Sequence, residues 1–152
     1  MLNRRNFVPG SEKTHEIPDD LIAEAPKTVL LLEDDVSLSL LLKEYLESFS
    51  LSVTVVPSGV DGIQKILAND FDAIVCDMVM PNFPGDMFYR AVERARPHLA
   101  RRFVFMTGHQ GDSKIDAFIR SVRGLILWKP FQFPDLLAAI NSLIRKNSPP
   151  VS

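Results

Sequence analysis

Ala73-Ile74-Val75-Cys76-Asp77 is an unbroken apolar run closed by a carboxylate. A strand covered on one face alternates apolar and polar residues, whereas a strand covered on both faces is apolar throughout, as parallel strands usually are. Three more continuous runs lie outward from it: Val29-Leu30-Leu31-Leu32, Phe103-Val104-Phe105-Met106 and Leu125-Ile126-Leu127-Trp128. Ser52-Val53-Thr54-Val55-Val56 is less uniform and reads as a fifth strand nearer an edge.

Helical patterns fill the spaces between these runs. Leu38, Leu41, Leu42, Tyr45, Leu46 and Phe49 recur at the spacing of one helix face, as do Ile115, Phe118, Ile119 and Val122, and Leu136, Leu137, Ile140, Leu143 and Ile144. Weaker helical stretches follow Ser58 and Gly85. Strand and helix therefore alternate through the chain. Short right-handed crossovers make this an α/β, doubly wound (βα)5 unit, a five-stranded parallel sheet with helices on both faces. The common open order 2-1-3-4-5 sets strands 1 and 3 side by side. The unit runs over residues 27–146, with 1–26 read as a polar N-terminal tail or linker and 147–152 as a Pro-containing C-terminal tail.

The bulk properties narrow the partners. A net charge of -2 over 152 residues gives no global reason to bind nucleic acid or an anionic membrane surface. No apolar run approaches the roughly 20 residues that span a bilayer, and the polar start lacks the apolar stretch of a secretory signal. The single cysteine, Cys76, sits in an apolar run and reads as a buried thiol in a reducing compartment. A cytoplasmic location is expected, with proteins or small ions as partners.

Ligands of an open parallel sheet bind beyond the carboxyl ends of its strands. Here those ends carry Glu33-Asp34-Asp35, Asp77, Thr107 and Lys129. Carboxylates crowded at one edge repel one another, and a hard divalent cation relieves the conflict. Magnesium suits such a site because it takes one or two carboxylates, water and phosphate oxygens. An Asp side chain beside it can act as a nucleophile toward a phosphoryl group, while an ammonium and a hydroxyl hold the phosphoryl oxygens.

Leu32-Glu33-Asp34-Asp35, Cys76-Asp77-Met78-Val79-Met80-Pro81, Met106-Thr107-Gly108 and Trp128-Lys129-Pro130-Phe131 together resemble the receiver domain of two-component response regulators, of CheY-like and flavodoxin-like fold. Each motif alone is short and common, but all four occur in order and each ends a strand. The resemblance implies that Asp77 is the phosphorylated residue and that Mg2+ is bound by Asp34, by Asp77, by Glu33 through water and by the backbone carbonyl of Val79. It implies that Thr107 follows the phosphoryl group, that Lys129 pairs with it, and that the Lys129-Pro130 peptide is cis. Asp35 is expected to cap the first helix instead. The implied donor is a histidine kinase or histidine phosphotransfer protein, and the output is a changed surface shown to an unidentified protein partner, with a homodimer possible in this family. The short segment after Lys146 leaves two expectations open, a stand-alone regulator acting by protein contact or the receiver piece of a hybrid kinase.

The sequence departs from the family pattern at three places. Pro84 stands before Gly85 where an Asp is usual. Ile126 stands where an aromatic ring commonly swings inward, so activation is expected to use Thr107 and the Gly108–Ser113 loop with little rotamer change at Ile126. Val79 and His109 flank the site, and an apolar Val79 cannot hold water by hydrogen bonding.

Three competing functions fit less well. A phosphatase of the haloacid dehalogenase type would want an Asp at Val79, a flavin protein would want a Ser/Thr/Gly loop after strand 1, and a pseudo-receiver would have no need of the intact acidic set. The arginines from Arg90 to Arg102 read as a solvated face, and Met78, Met80 and Met87 as fillers of core gaps.

Overall fold

The computed structural model describes residues 25–108 and 111–149; the readings made for residues 1–24, for His109 and for 150–152 lie outside it. The elements are β1 (Lys27–Leu32), α1 (Val36–Glu47), β2 (Leu51–Val56), α2 (Gly59–Ala68), β3 (Ala73–Asp77), α3 (Gly85–Ala95), β4 (Phe103–Thr107), α4 (Ser113–Ser121), β5 (Leu125–Trp128) and α5 (Phe133–Asn147), with a 3-10 turn at Pro97–Arg101 before β4. The strands form one parallel sheet in the order β2-β1-β3-β4-β5.

The pleat sends alternate residues to two cores, and both are apolar, which is why the central strands read as continuous runs. Val29, Leu31, Val75, Val104 and Met106 pack under α1 and α5 on Leu42, Leu46, Leu136, Ile140 and Leu143. Leu30, Leu32, Ile74, Cys76, Phe103 and Phe105 face the other way, toward Ile66 of α2, Phe88, Tyr89 and Val92 of α3, and Phe118 of α4. This second core is rich in rings. Tyr89 meets Phe103, Phe105 and Phe118 edge-on at 5.1, 5.7 and 5.5 Å between centroids, an arrangement favoured by the ring quadrupoles.

Most helices start where a side chain accepts an orphan amide. Asp35 Oδ1 accepts from Leu38 N at 3.0 Å, as expected of a cap, Ser58 Oγ accepts from Asp61 N at 3.3 Å, and Asp112 Oδ1 accepts from Lys114 N at 2.9 Å. α3 has no side-chain cap. Its start is fixed by Gly85, where an added Cβ would lie 2.7 Å from the carbonyl oxygen of Asp77 and 2.9 Å from Met78 Cα, so only glycine lets the helix approach the end of β3 this closely.

Two sequence expectations change. The buried stripe of α1 is Ser39, Leu42 and Leu46; small Ser39 turns toward the sheet, which rotates the stripe and leaves Leu41 55% exposed, while Phe49 falls beyond the last helical residue. Met78 and Met80 do fill the core, but Met87 is 51% exposed on the outer face of α3.

Candidate functional site

β1 and β3 pair in register so that Leu32 faces Cys76, which brings the residues that follow them, Glu33 and Asp77, to the same edge. β4 places Met106 beside Asp77, and β5 places Trp128 beside Thr107, with Lys129 N donating to Thr107 O at 2.8 Å. Lys129, far along the chain, therefore reaches back across β4: its Nζ donates to Asp77 Oδ2 at 2.9 Å and lies 3.7 Å from Glu33 Oε2. The other Asp77 oxygen, Oδ1, accepts from Val79 N at 3.0 Å. Asp77, Glu33 and Thr107 are buried, and Asp34 is exposed. The peptide between Lys129 and Pro130 is cis, as expected.

Carboxylate oxygens of Glu33, Asp34 and Asp77 lie within 4.8 Å of one another. Burial, reinforced by the charge of Asp77, lifts the Glu33 carboxyl from 4.5 to about 7 despite the nearby Lys129. Burial alone would lower the Lys129 ammonium, but the hydrogen bond and charge of Asp77, with Glu33 and Asp34, outweigh it and leave its pKa raised. Glu33 Oε2 is buried without a hydrogen-bond donor of its own among the described residues. An oxygen-only donor set, a surplus of negative charge and one orphaned buried oxygen fit a hard divalent cation.

The response regulator receiver domain model matches residues 29–141, most of the chain. The chain belongs to that family. Receiver domains serve as phosphoacceptors in two-component signalling, in response regulators and in hybrid kinases. Transcription factor SKN7 of Candida albicans is 32% identical over 116 residues, which are 74% of this chain and 20% of that protein. Transcriptional regulatory protein RprY of Bacteroides fragilis is 29% identical over 78% of this chain and 49% of its own length. Sensor kinase CckA of Brucella abortus is 28% identical over 91% of this chain and 14% of its own length. The chain thus spans between 14% and 49% of these curated relatives. Among solved structures, a CheY-like receiver domain protein from Methanospirillum hungatei superposes with a TM-score of 0.73 at 21% identity, over 80% of this chain and 96% of that one. The receiver domain of a Pseudomonas aeruginosa sensor histidine kinase, with magnesium coordinated in its active site cleft, gives 0.71 at 20% identity, over 80% and 99%. At these identities both show the fold.

Within this receiver, Ile126 is half-buried and packs against the ring-rich core. It pairs across the sheet with Phe105, whose ring meets that of Phe118 at 5.3 Å. Val79 is 49% exposed at the rim. Pro84 directly precedes α3. Cys76 is fully buried, and burial, aided by the charges of Asp77, Asp86 and Glu33, raises its thiol pKa.

The arginines read as one solvated face divide. At the opposite edge of the sheet, Arg96 donates to Ile66 O at 2.7 Å and Arg102 to Phe71 O at 2.8 Å, and both flank Asp70 together with His98. These contacts pin the loop before β3 to the turn before β4. Sequence reasoning missed them, since nothing local to Asp70 points to cations about thirty residues away.

Proposed function

We propose that Asp77 is the phosphoacceptor of this receiver and that residues 27–146 form the receiver unit, flanked by segments 1–26 and 147–152. The supporting observation is the convergence on Asp77: the Lys129 ammonium at 2.9 Å and the Glu33 and Asp34 carboxylates beside it. Glu33, Asp34, Asp77 and the backbone carbonyl of Val79 would hold Mg2+. The bound ion would supply charge neutralisation for a dianionic phosphoryl group.

The residues of the chain supply the rest. A carboxylate oxygen of Asp77 attacks phosphorus, the bond from phosphorus to the donor breaks, and the donor leaves with its electron pair. Val79 N–H, already on Asp77 Oδ1, holds the other oxygen and so orients the nucleophile. Lys129 then exchanges Asp77 for a phosphoryl oxygen, and Thr107, at the end of the neighbouring strand, takes another. With Ile126 half-buried against the core, movement of Thr107 and of the Gly108–Ser113 loop transmits the change, with little rotamer change at Ile126.

The donor is a phosphohistidine on a histidine kinase or phosphotransfer protein. Val36 and Leu40, 67% and 60% exposed on the first turns of α1 beside the acidic edge, give such a protein an apolar footing next to the site. A protein receives the output. No helix among the described residues is long and apolar enough to cross a membrane, and the lone buried thiol supports a cytoplasmic placement. The module works on its own phosphoryl group and on no other substrate.

Mass spectrometry after incubation with acetyl phosphate and magnesium tests the assignment. The wild type gains one hydroxylamine-sensitive phosphoryl group and Asp77→Asn gains none. Equal labelling of the two would overturn the assignment.

A further inference from the structure

α4 is loosely seated on the rest of the molecule, with Ile119 partly buried against the core beside Phe118. Of its residues only Phe118 is buried, whereas the neighbouring α3 buries Gly85, Phe88, Tyr89 and Val92. The two helices consequently leave a groove of about 600 Å3 between them. Its lining is apolar in the middle, with Phe83, Met87, Ala91, Ala117 and Phe118. A second cavity of about 290 Å3 shares Asp86 and Phe118 with it and continues to Met78 and Val79 beside the phosphoacceptor. The two together make a trough that follows the helices. That shape suits an extended or helical segment better than a compact small molecule.

The charge on the rim narrows the choice of occupant. Arg90 and Arg94 stand one turn apart on α3 and line the groove, facing neutral Ser121 on α4, while Asp86 stands a turn earlier on α3, with Asp112 and Lys114 at the end nearer Val79. Arg90 is held in place: its guanidinium lies 5.6 Å from the Phe118 ring centroid and donates to Ser121 Oγ at 3.1 Å and to Glu93 Oε1 at 3.3 Å. Arg94 is exposed and has no ion pair among the described residues. The apolar floor, with two cations on the rim at the end away from the phosphoacceptor, matches a helix that carries an apolar stripe flanked by carboxylates at that end. A nucleic acid would answer the arginines but leave the floor wet.

We infer that the trough between α3 and α4 is a docking surface for an acidic amphipathic helix of a protein partner. The surface lies apart from the α1 edge next to the phosphoacceptor. A partner seated there covers the only buried anchor of α4 and reaches the loop after β3, so it can sense either element. The inference does not depend on phosphorylation, and its test uses the unmodified chain.

The probe is a fluorescein-labelled synthetic helical peptide with leucines at i, i+3, i+4 and i+7 and glutamates flanking that stripe, beside a twin with lysines in place of the glutamates. The glutamate peptide is expected to bind in an anisotropy titration and to shift the amide signals of Met87, Ala91, Ala117 and Ser121, with the lysine twin about tenfold weaker. Met87→Glu, a change at an exposed position, should weaken the glutamate peptide about tenfold, and Arg94→Glu should invert the preference between the twins. Four outcomes would overturn the inference: no binding of the glutamate peptide, equal affinity for the two peptides, shifts confined to α1 or α5, or a concentration-dependent dimer that Met87→Glu dissolves, which would make a second copy the occupant. Preferential binding of a single-stranded oligonucleotide at the same amides would also overturn it.

Discussion

On the β1–β3 side of the site, every residue from Val29 to Leu32 and from Ala73 to Asp77 is buried, whereas all four residues of β5 are only half-buried and α4 buries Phe118 alone. The acidic residues and Asp77 stand on the first flank. Lys129 and the α4 helix belong to the second. Phosphoryl transfer depends on atoms held in place, and a response depends on an element whose alternative arrangement lies close in energy. The contrast teaches that this chain buries the surroundings of Asp77 most completely and the element nearest the trough least.

The largest effect that sharpens the contrast is chemical. Asp77→Asn should abolish phosphorylation outright, while Phe118→Ala should leave phosphorylation by acetyl phosphate intact; loss of labelling in both would show that the flanks are not separable. Next come the cores themselves. Ile74→Ala removes a fully buried strand residue and should cost about 2–5 kcal/mol in denaturant unfolding, read from the transition midpoint. Phe118→Ala should cost less than the usual ~3–5 kcal/mol for a buried ring, because solvent already reaches that groove, and faster amide exchange should be confined to α4. Exchange that spreads evenly over the sheet would break the comparison.

A third test bears on the acidic flank alone. Asp34→Ala should weaken magnesium about tenfold or more and leave the metal-free fold as stable or slightly more so, since one of three crowded carboxylates is gone. Magnesium titration by tryptophan fluorescence, using Trp128, measures it. The smallest effect belongs to the far edge of the sheet. Burial tends to raise the Asp70 carboxyl, but the hydrogen bond from His98 and the contacts with Arg102 outweigh it and hold it below 3.8. A carboxyl lowered in the folded state contributes stability that is complete above its unfolded pKa and lost as the pH falls through the folded one. Asp70→Asn should therefore reduce stability slightly near neutrality and by an amount that vanishes as the pH falls through the lowered carboxyl pKa, with phosphorylation unchanged.

The sheet was legible because strands buried on both faces leave little choice of residue, and Val29–Leu32 or Phe103–Met106 read the same way in isolation as in the fold. The site was legible because each of its residues follows such a run directly. Less could be read from the helices. Periodicity shows that α1 and α4 each have an apolar face but not how many neighbours will cover it. Leu41 and Met87 consequently emerged exposed, and Ile115 and Ile119 of α4 are only half-buried. Long-range polar contacts were legible only at the strand ends: Lys129 and Asp77 lie 52 positions apart, yet both follow strands whose carboxyl ends share one edge of the sheet. Arg96 and Arg102 had no such guide, because only the fold brings them beside Asp70.

Cys76 gives this molecule a clock. It is the sole thiol in the chain, it is completely buried, and its Sγ sits 3.4 Å from the carbonyl oxygen of Asp77, with the close approach of Gly85 on one side. An alkylating reagent can reach it only when the end of β3 parts from α3, so the rate at which the sulfur is capped counts openings of the very edge that carries Asp77. No dye, tag or substitution is required to time them.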